Sequence, residues 1–204
     1  MARPDRSRLF ESIREALARL GPFFYRYRSY TPLPLIVLLA WKSRPTGLSW
    51  MSGLPLALAG EGLRLASLRQ IGGASRSTRL GGDGLATGGP YAAVRNPLYL
   101  GNLLLSFGLS VISAIPYLPP LLIVLFAVQY VPIVLAEEKE LARLFPDRYP
   151  EYAARVPRFV PRWKRTGGPT PRHSLRDALR TERRSLLSLL AVLILLILRS
   201  ARGG

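Results

Sequence analysis

Apolar residues recur in long runs along this chain, and basic residues fill the intervals between the runs. Residues 5–20 differ, because their apolar positions repeat at helical spacing and charged residues occupy the other face. That pattern predicts an amphipathic helix lying on a membrane surface, or packing against the cytoplasmic side of the protein itself. Five apolar runs follow and are predicted to span a membrane: residues 33–41, 48–68, 98–115, 121–135 and 185–198.

The third and fourth runs are separated by the short uncharged turn 116–120, which predicts a helical hairpin with both free ends on one face. The last run follows Ser174 and Asp177, whose spacing resembles a capping box that opens a helix. Its apolar part covers roughly 20 Å at 1.5 Å per residue, so it is predicted either to cross a thinned bilayer or to lie at the interface.

Charge and length support an integral membrane protein that forms one domain. The chain has 204 residues, is 49% hydrophobic and carries a net charge of +17, with 29 basic and 12 acidic residues. Basic loops between apolar runs follow the positive-inside rule, which predicts a cytoplasmic N-terminus, an external C-terminus and a bacterial inner-membrane location. A nucleic-acid binder would instead interleave basic and aromatic residues on a soluble fold, so no nucleic-acid partner is predicted.

The predicted domain, residues 1–204, divides into four parts. Residues 1–30 form the amphipathic interfacial segment, 31–70 the first two spans, 71–162 a core with the helical hairpin, and 163–204 the C-terminal helix. The chain has no cysteine and one histidine, His173, which is interpreted as a solvated loop residue. No metal site is predicted from this composition.

The stretch 88–101, GGPYAAVRNPLYLG, carries the first candidate chemistry. Asn96 is a preferred helix cap and Pro97 suits a first helical turn, so a helix is predicted to begin there. Free backbone N–H groups at such a start favour an anion, and Arg95 adds a full positive charge beside them. The alternative is a plain helix cap with interfacial tyrosines and a topology-setting arginine.

Acidic residues are scarce, yet three of them lie together where the fourth run ends: Glu137, Glu138 and Glu140. This grouping either requires a positive partner or forms a solvated helix end screened by Lys139. Another acidic residue, Glu61, lies one turn before Arg64 inside the second run. An i,i+3 ion pair is the favoured interpretation there, with a functional role as the alternative.

Together these segments resemble the integral-membrane methyltransferases of the isoprenylcysteine carboxyl methyltransferase and phospholipid N-methyltransferase superfamily. The resemblance covers residues 83–161 and joins a glycine–tyrosine–arginine–proline motif, a hydrophobic hairpin, a Glu-Glu pair and a tyrosine-rich segment ending in Val-Pro. The matching residues are Gly89, Tyr91, Arg95, Asn96, Pro97, Tyr99, Gly101, Glu137, Glu138, Leu141, Phe145, Tyr149, Tyr152, Val156 and Pro157.

The resemblance implies methyl transfer from S-adenosyl-L-methionine, bound at the cytoplasmic ends of the helices, to a membrane-associated hydrophobic or lipid-like acceptor. It also implies a set of cofactor-binding residues: Asp83, Gly84, Leu85, Ala86, Tyr91, Arg95, Asn96, Pro97, Leu98, Tyr99, Glu137 and Glu138. The helix start could hold the cofactor's carboxylate, and a glutamate could hold its ammonium or ribose hydroxyls. No general base is assigned, and no metal is needed.

Two positions depart from the superfamily pattern. Asn96 replaces the commoner histidine, and Ile133 stands where carboxyl methyltransferases hold the substrate carboxylate with an arginine. Gln129, one turn earlier, is the nearest polar residue, so both positions are candidates for acceptor binding. The isoleucine favours a lipid or small hydrophobic acceptor over a prenylated cysteine. The alternative function is a non-catalytic basic membrane scaffold or lipid-binding protein.

Overall fold

The structure is a computed structural model that describes residues 6–71, 84–162, 171 and 173–203. Every regular element within these residues is a helix, which confirms the predicted all-α class. The helices are α1 (Arg6–Tyr27), α2 (Pro32–Lys42), α3 (Gly47–Ile71), α4 (Pro90–Ala93), α5 (Pro97–Ile112), α6 (Leu118–Leu144), α7 (Arg148–Arg155) and α8 (Leu175–Gly203).

Helices α3 and α5 pack antiparallel at very short distance, because glycines line the contact on both sides. A Cβ on Gly60 would lie 2.7 Å from the carbonyl oxygen of Gly101, and one on Gly53 would lie 2.5 Å from that of Gly108. Such a stripe of small residues lets two helix backbones approach closely inside an apolar medium. This pair forms the spine on which the other helices pack.

Helices α5 and α6 form the predicted hairpin, although its turn lies earlier than the sequence suggests. The predicted turn 116–120 is wrong by several residues, because α5 ends at Ile112 and α6 begins at Leu118. Prolines in the first turn of α6 need no N–H partner, so they start the helix instead of ending the loop. The hairpin places the start of α5 beside the end of α6.

The first helix is longer than predicted and packs on α6. It continues through Pro22 to Tyr27, and Gly21 lies so close to α6 that a Cβ there would be 2.6 Å from the carbonyl oxygen of Pro132. Earlier in the helix, Leu9 and Phe10 stay exposed at 52% and 65%. The apolar stripe of the N-terminal half is thus uncovered by the described residues, and its membrane-surface location stays a prediction.

The last helix is fixed at both ends. The predicted capping box is confirmed: the Ser174 backbone N–H donates to Asp177 Oδ2 at 3.1 Å, and the Asp177 N–H donates to Ser174 Oγ at 3.2 Å. At the far end, Arg199 donates to the carbonyl oxygens of Ser43 and Trp41 at 3.1 and 3.2 Å. Because the His173 N–H donates to the carbonyl oxygen of Arg69 near the end of α3, and Arg199 reaches Ser43 before its start, α8 runs antiparallel to α3.

Two of the described helices, α6 and α8, are long and apolar enough to cross a membrane. Helices α2 and α5 are apolar but shorter, with 11 and 16 residues, and α3 carries Glu61 and Arg64 within its length. The structure thus supports membrane association through two helices, whereas the predicted total of five spans stays a prediction.

Candidate functional site

The start of α5 lies where predicted, but the side chain before it does not act as a helix cap. Asn96 occupies the cap position without capping α5. Its amide instead donates to Glu138 Oε1 and to the carbonyl oxygen of Arg158, both at 3.3 Å. The buried carboxylate of Glu138 thus takes the amide N–H, and the side-chain oxygen makes no capping bond to the first turn. Asn96 is therefore the N-cap residue, as predicted, but the capping hydrogen bond expected of its side chain is absent.

Glu138 is the centre of a buried charge network. Arg158 donates from Nη2 to Oε2 at 2.6 Å and from Nε to Oε1 at 3.0 Å, which is a bidentate arginine–carboxylate pair. Arg95 Nη1 lies 3.3 Å from Oε2 on the other side. The carboxylate is 8% exposed, so removing either charge would leave the other poorly solvated. Glu138 thereby fastens the segment after α7 across the start of α5.

The neighbouring acid, Glu137, faces a different partner. Tyr99, on the first turn of α5, donates its hydroxyl to Glu137 Oε1 at 2.6 Å. The Tyr99 ring is 7% exposed and lies 5.1 Å from the ring of Tyr130. The two adjacent glutamates thus separate by role: Glu138 is saturated by two arginines and an amide, whereas Glu137 is joined to a tyrosine at the edge of an aromatic wall.

That wall belongs to a packed hydrophobic cluster, which we name the aromatic chamber, around the buried residues Tyr99, Ile133 and Val134. Its other members come from α1, α6 and the segment after α7: Phe24, Tyr25, Phe126, Tyr130 and Phe159. Phe126 and Tyr130 stack with centroids 4.1 Å apart. Ile133 is 1% exposed within this chamber, and Gln129, one turn earlier, is buried as well. Aromatic faces of this kind suit apolar chains and cations.

Hydrogen bonds join α7 and the segment after it to α4 and to the residues before α5. The Tyr152 hydroxyl donates to the carbonyl oxygen of Tyr91 at 2.7 Å, and the Arg95 N–H donates to the carbonyl oxygen of Pro157 at 2.9 Å. Leu85 packs on Tyr149 and Tyr152. Burial raises the pKa of Tyr149 to about 12 and also raises the pKa of Tyr152, so both phenols stay neutral, and the Tyr152 hydroxyl acts as a donor.

The predicted cofactor-binding residues are largely brought together. Those from Arg95 to Tyr99 form the start of α5, beside Glu137 and Glu138, and the carbonyl of Tyr91 is held by α7. Gly84, Leu85 and Ala86 lie on the stretch that leads into α4. Asp83, also predicted as a cofactor contact, lies outside the described residues. Gln129 and Ile133 lie on α6 within the hairpin.

Several residues at the site have no place in the sequence-based prediction. Arg158 is the main positive partner of the acidic group, and Arg28 approaches the aromatic chamber from the turn after α1. The shortage of acids predicts that some cation pairs with residues 137–140, and this is confirmed for Glu138. Which of the 29 basic residues it would be depends on tertiary contacts that no spacing rule contains.

A second buried charge cluster joins α3 to α8. The predicted pair is confirmed, with Arg64 Nε 3.6 Å from Glu61 Oε2. Arg64 also donates to Glu182 of α8, a partner that the sequence does not indicate. Separately, within the described residues no group of three or more His, Cys, Asp or Glu side chains is placed to hold a metal ion.

These features define a helical, membrane-associated protein whose polar site lies where the helix ends meet. Residues 48–148 match the phospholipid methyltransferase family, and the chain belongs to that family, within the isoprenylcysteine/phospholipid methyltransferase superfamily. The resemblance identified from the motifs is thereby confirmed. Membership implies a methyltransferase.

Two curated relatives carry other names. The chain is 35% identical over 136 residues to the cobalt-zinc-cadmium resistance protein CzcN of Cupriavidus metallidurans, which is 67% of this chain and 62% of that protein. It is 30% identical over 159 residues to the nickel-cobalt-cadmium resistance protein NccN of Alcaligenes xylosoxydans xylosoxydans, which is 74% of each chain. The matched part is thus under two thirds of the length of CzcN. No solved structure matches the chain.

Proposed function

We propose that the protein is an S-adenosyl-L-methionine-dependent methyltransferase that acts on a membrane-associated, lipid-like acceptor. The observation that carries this proposal is the Tyr99–Glu137 hydrogen bond of 2.6 Å at the junction of α5 and α6. It joins the polar groups at the helix ends to the aromatic chamber. A site of this composition can hold a polar, charged donor on one side and an apolar acceptor on the other.

The donor set fits the proposed cofactor. Glu137 offers a carboxylate for an ammonium or for ribose hydroxyls, and the first N–H groups of α5 offer donors to a carboxylate. Tyr91 and residues 84–86 lie on the adjoining loop, where they can cover the nucleoside. Bound S-adenosylmethionine would supply an electrophilic methyl group on a positively charged sulfur. We include Asp83 in this set as predicted from the motif.

The residues of the chain itself then position the bound partners and exclude water from them. Glu138, Arg95 and Arg158 hold the segment after α7 against the start of α5, so Glu138 is proposed as a positioning residue. The aromatic chamber excludes water from the acceptor side. Orientation and exclusion of water are large contributions for a displacement between two bound partners. We assign no general base.

We further propose that the chain crosses the bacterial inner membrane five times, with its N-terminus and this site at the cytoplasmic face. The distribution of arginines supports this orientation. The relatives are named for resistance to cobalt, zinc, cadmium and nickel. In this chain, we propose, a comparable role would operate through a methylated membrane component.

The test is transfer of a radioactive methyl group from S-adenosylmethionine into the lipid extract of membranes that contain the protein. We expect label in the organic phase, and a rate at least about tenfold lower for Glu137→Gln, because a charge-assisted hydrogen bond is lost. Glu140→Gln is the matched control, since that acid lies on the same helix and pairs with Arg143 at 2.6 Å. Unlabelled extracts from well-folded protein would support the scaffold alternative instead.

A further inference from the structure

The C-terminal helix α8 carries a buried acidic residue, Glu182, on the face that meets α3. Helix α8 lies after the family-matched residues 48–148, so this contact is an addition to the shared core. The charged side chains that neighbour Glu182 on α8 are all exposed: Arg176, Asp177, Arg180, Arg183 and Arg184. Glu182 is only 4% exposed, beside Ala178 at 1%. Burial of one carboxylate among exposed charges is costly, which indicates a specific partner.

That partner is Arg64 on α3. Its Nη2 donates to Oε2 of Glu182, and its side chain is 12% exposed. Glu61, one turn earlier on α3, lies on the other side, with its Oε2 3.6 Å from Nε of Arg64. This Nε makes no hydrogen bond, so Glu61 attracts the guanidinium without directing it. The hydrogen bond to α8 therefore orients the end of the Arg64 side chain.

The stem of Arg64 lies directly against the start of α5. A Cβ on Gly101 would be 2.6 Å from Cγ of Arg64 and 3.2 Å from its backbone nitrogen, so the arginine occupies the space beside this glycine. Gly101 comes two residues after Tyr99, whose hydroxyl donates to Glu137 at 2.6 Å. The position of Arg64 is thus coupled to the helix start that carries Tyr99.

Arg64 also approaches the aromatic chamber from the side of α5. Its guanidinium is within electrostatic range of the Tyr130 hydroxyl, which also hydrogen-bonds to Asn102 of α5. The ring of Tyr130 lies 5.1 Å from the ring of Tyr99 and belongs to the chamber. Glu182, Arg64 and Tyr130 thus form a line of interactions that connects α8 to the chamber.

We propose that Glu182 is a positioning residue: it holds Arg64 across the start of α5, so that Tyr130 keeps the orientation in which the chamber receives the methyl acceptor. The proposal rests on the function proposed above and adds the C-terminal helix to that site. Because Tyr130 lies on the chamber side of Tyr99, loss of Glu182 should affect methyl transfer more than cofactor binding. The competing explanation is that Glu182 only neutralises a buried arginine and thereby stabilises the contact between α3 and α8.

The first measurement compares cofactor binding with methyl transfer in nanodiscs made from total bacterial lipid extract. Transfer is followed as label that passes from saturating S-adenosylmethionine into the extracted lipid. In Glu182→Gln we expect a transfer rate roughly tenfold lower, because small displacements of positioned groups reduce rates strongly, and a cofactor dissociation constant changed by less than about twofold. If Glu182 acts through Arg64, Arg64→Gln should lower the rate similarly, and the double variant should lower it no further.

Leu196→Ala is the matched control for stability, because Leu196 is a fully buried residue on the same helix. It should lower the unfolding temperature and leave the transfer rate unchanged. Arg183→Gln is the control for a change of charge, since Arg183 is an exposed neighbour of Glu182. It should alter neither the unfolding temperature nor the transfer rate.

The second measurement needs no cofactor. Fluorine NMR of protein labelled with fluorinated tyrosine reports the surroundings of each ring, and the Tyr130 signal is assigned by its loss in Tyr130→Phe. We expect Glu182→Gln to shift this signal and Leu196→Ala to leave it in place. A wild-type protein that transfers no methyl group, but whose Tyr130 signal still responds to Glu182→Gln, would contradict only the proposed function.

Either of two results would overturn the positioning role of Glu182. One is a folded Glu182→Gln protein that keeps the transfer rate of an active wild type or leaves the Tyr130 signal unmoved. The other is a fall in rate that Leu196→Ala reproduces at an equal loss of stability, which would make Glu182 a structural residue alone. Circular dichroism and thermal unfolding of each variant show that the measured protein is folded.

Discussion

The two ends of the helix assembly differ in composition: one contains buried charged and aromatic residues, and the other contains aliphatic side chains. At one end, the start of α5 meets the end of α6, and buried arginines, glutamates and aromatic rings lie around this junction. At the other end, a core of aliphatic side chains joins α2, α5, α6 and α8: Leu39, Ile112, Ile115, Leu118, Val192 and Leu196. Apolar packing suffices to hold helices together, so the costly charges at the first end indicate a function.

The packed pair of α3 and α5 extends between both ends, so disrupting this packing should have the largest effect on stability. In Gly60→Val the new side chain would collide with the backbone of Gly101 and Leu105, whose atoms lie 2.7 and 2.9 Å from the position of its Cβ. We expect loss of at least about 3 kcal/mol, and little monodisperse protein by size-exclusion chromatography. Gly62→Val is the control, because nothing lies within 4 Å of its Cβ position. Equal behaviour of the two variants would contradict the packing.

Removing the charge at the centre of the network should be the next largest effect. Glu138→Gln leaves Arg95 and Arg158 without their shared anion, so we expect a loss of about 3 kcal/mol in thermal or denaturant unfolding, together with weaker cofactor binding. Glu140→Gln should leave the unfolding transition nearly unchanged, because its partner Arg143 is 70% exposed and the pair is screened by solvent. A stable Glu138→Gln protein with normal binding would remove the positioning role.

A substitution at the aliphatic end should lower stability without changing cofactor affinity. Leu196 is fully buried at 0% exposure, and Leu196→Ala should cost about 2–3 kcal/mol through lost contacts and a cavity. Its cofactor affinity should match that of the wild type, because the change lies far from the site. The control is Leu198→Ala, since Leu198 is 54% exposed. A large fall in affinity for Leu196→Ala would show that the ends are coupled.

The smallest expected effect concerns the ionisation of Tyr149 at alkaline pH. Tyr149 has a pKa raised to about 12, against an ordinary value near 10, because its ring is buried beside Leu85 and Tyr152. A raised pKa means that the stabilisation is fully present below pH 10 and is lost as the pH rises through 12. Ultraviolet titration of phenolate should show several late-ionising tyrosines, and Tyr149→Phe should remove one of them. Ionisation of all tyrosines near pH 10 would contradict this burial.

The sequence predicts the parts of this fold that depend on local pattern. The helix start at Pro97, the capping box of Ser174 and Asp177, and the Glu61–Arg64 pair all follow from short-range spacing, and each is confirmed. The hairpin was also predicted, although its turn was misplaced because the prolines after residue 118 start a helix.

The sequence could not predict partners that are distant along the chain. Arg158 reaches Glu138 across 20 residues, and Glu182 meets Arg64 across 118. The use of Asn96 was missed for the same reason, since a buried carboxylate competes successfully for its amide. The motif residues at the start of α5 and the end of α6 lie together, but the approach of Arg28 and Tyr25 to them depends on the packing of α1 on α6.

The central claim is that helix ends at the polar end of this protein hold a methyl donor through Glu137 and Tyr99. Isothermal titration of S-adenosylmethionine into the purified protein in lipid nanodiscs tests it directly. We expect saturable binding with one site per chain, weakened about tenfold in Glu137→Gln and unchanged in Glu140→Gln. Absence of binding to folded wild-type protein, or equal affinity in all three proteins, would contradict the claim.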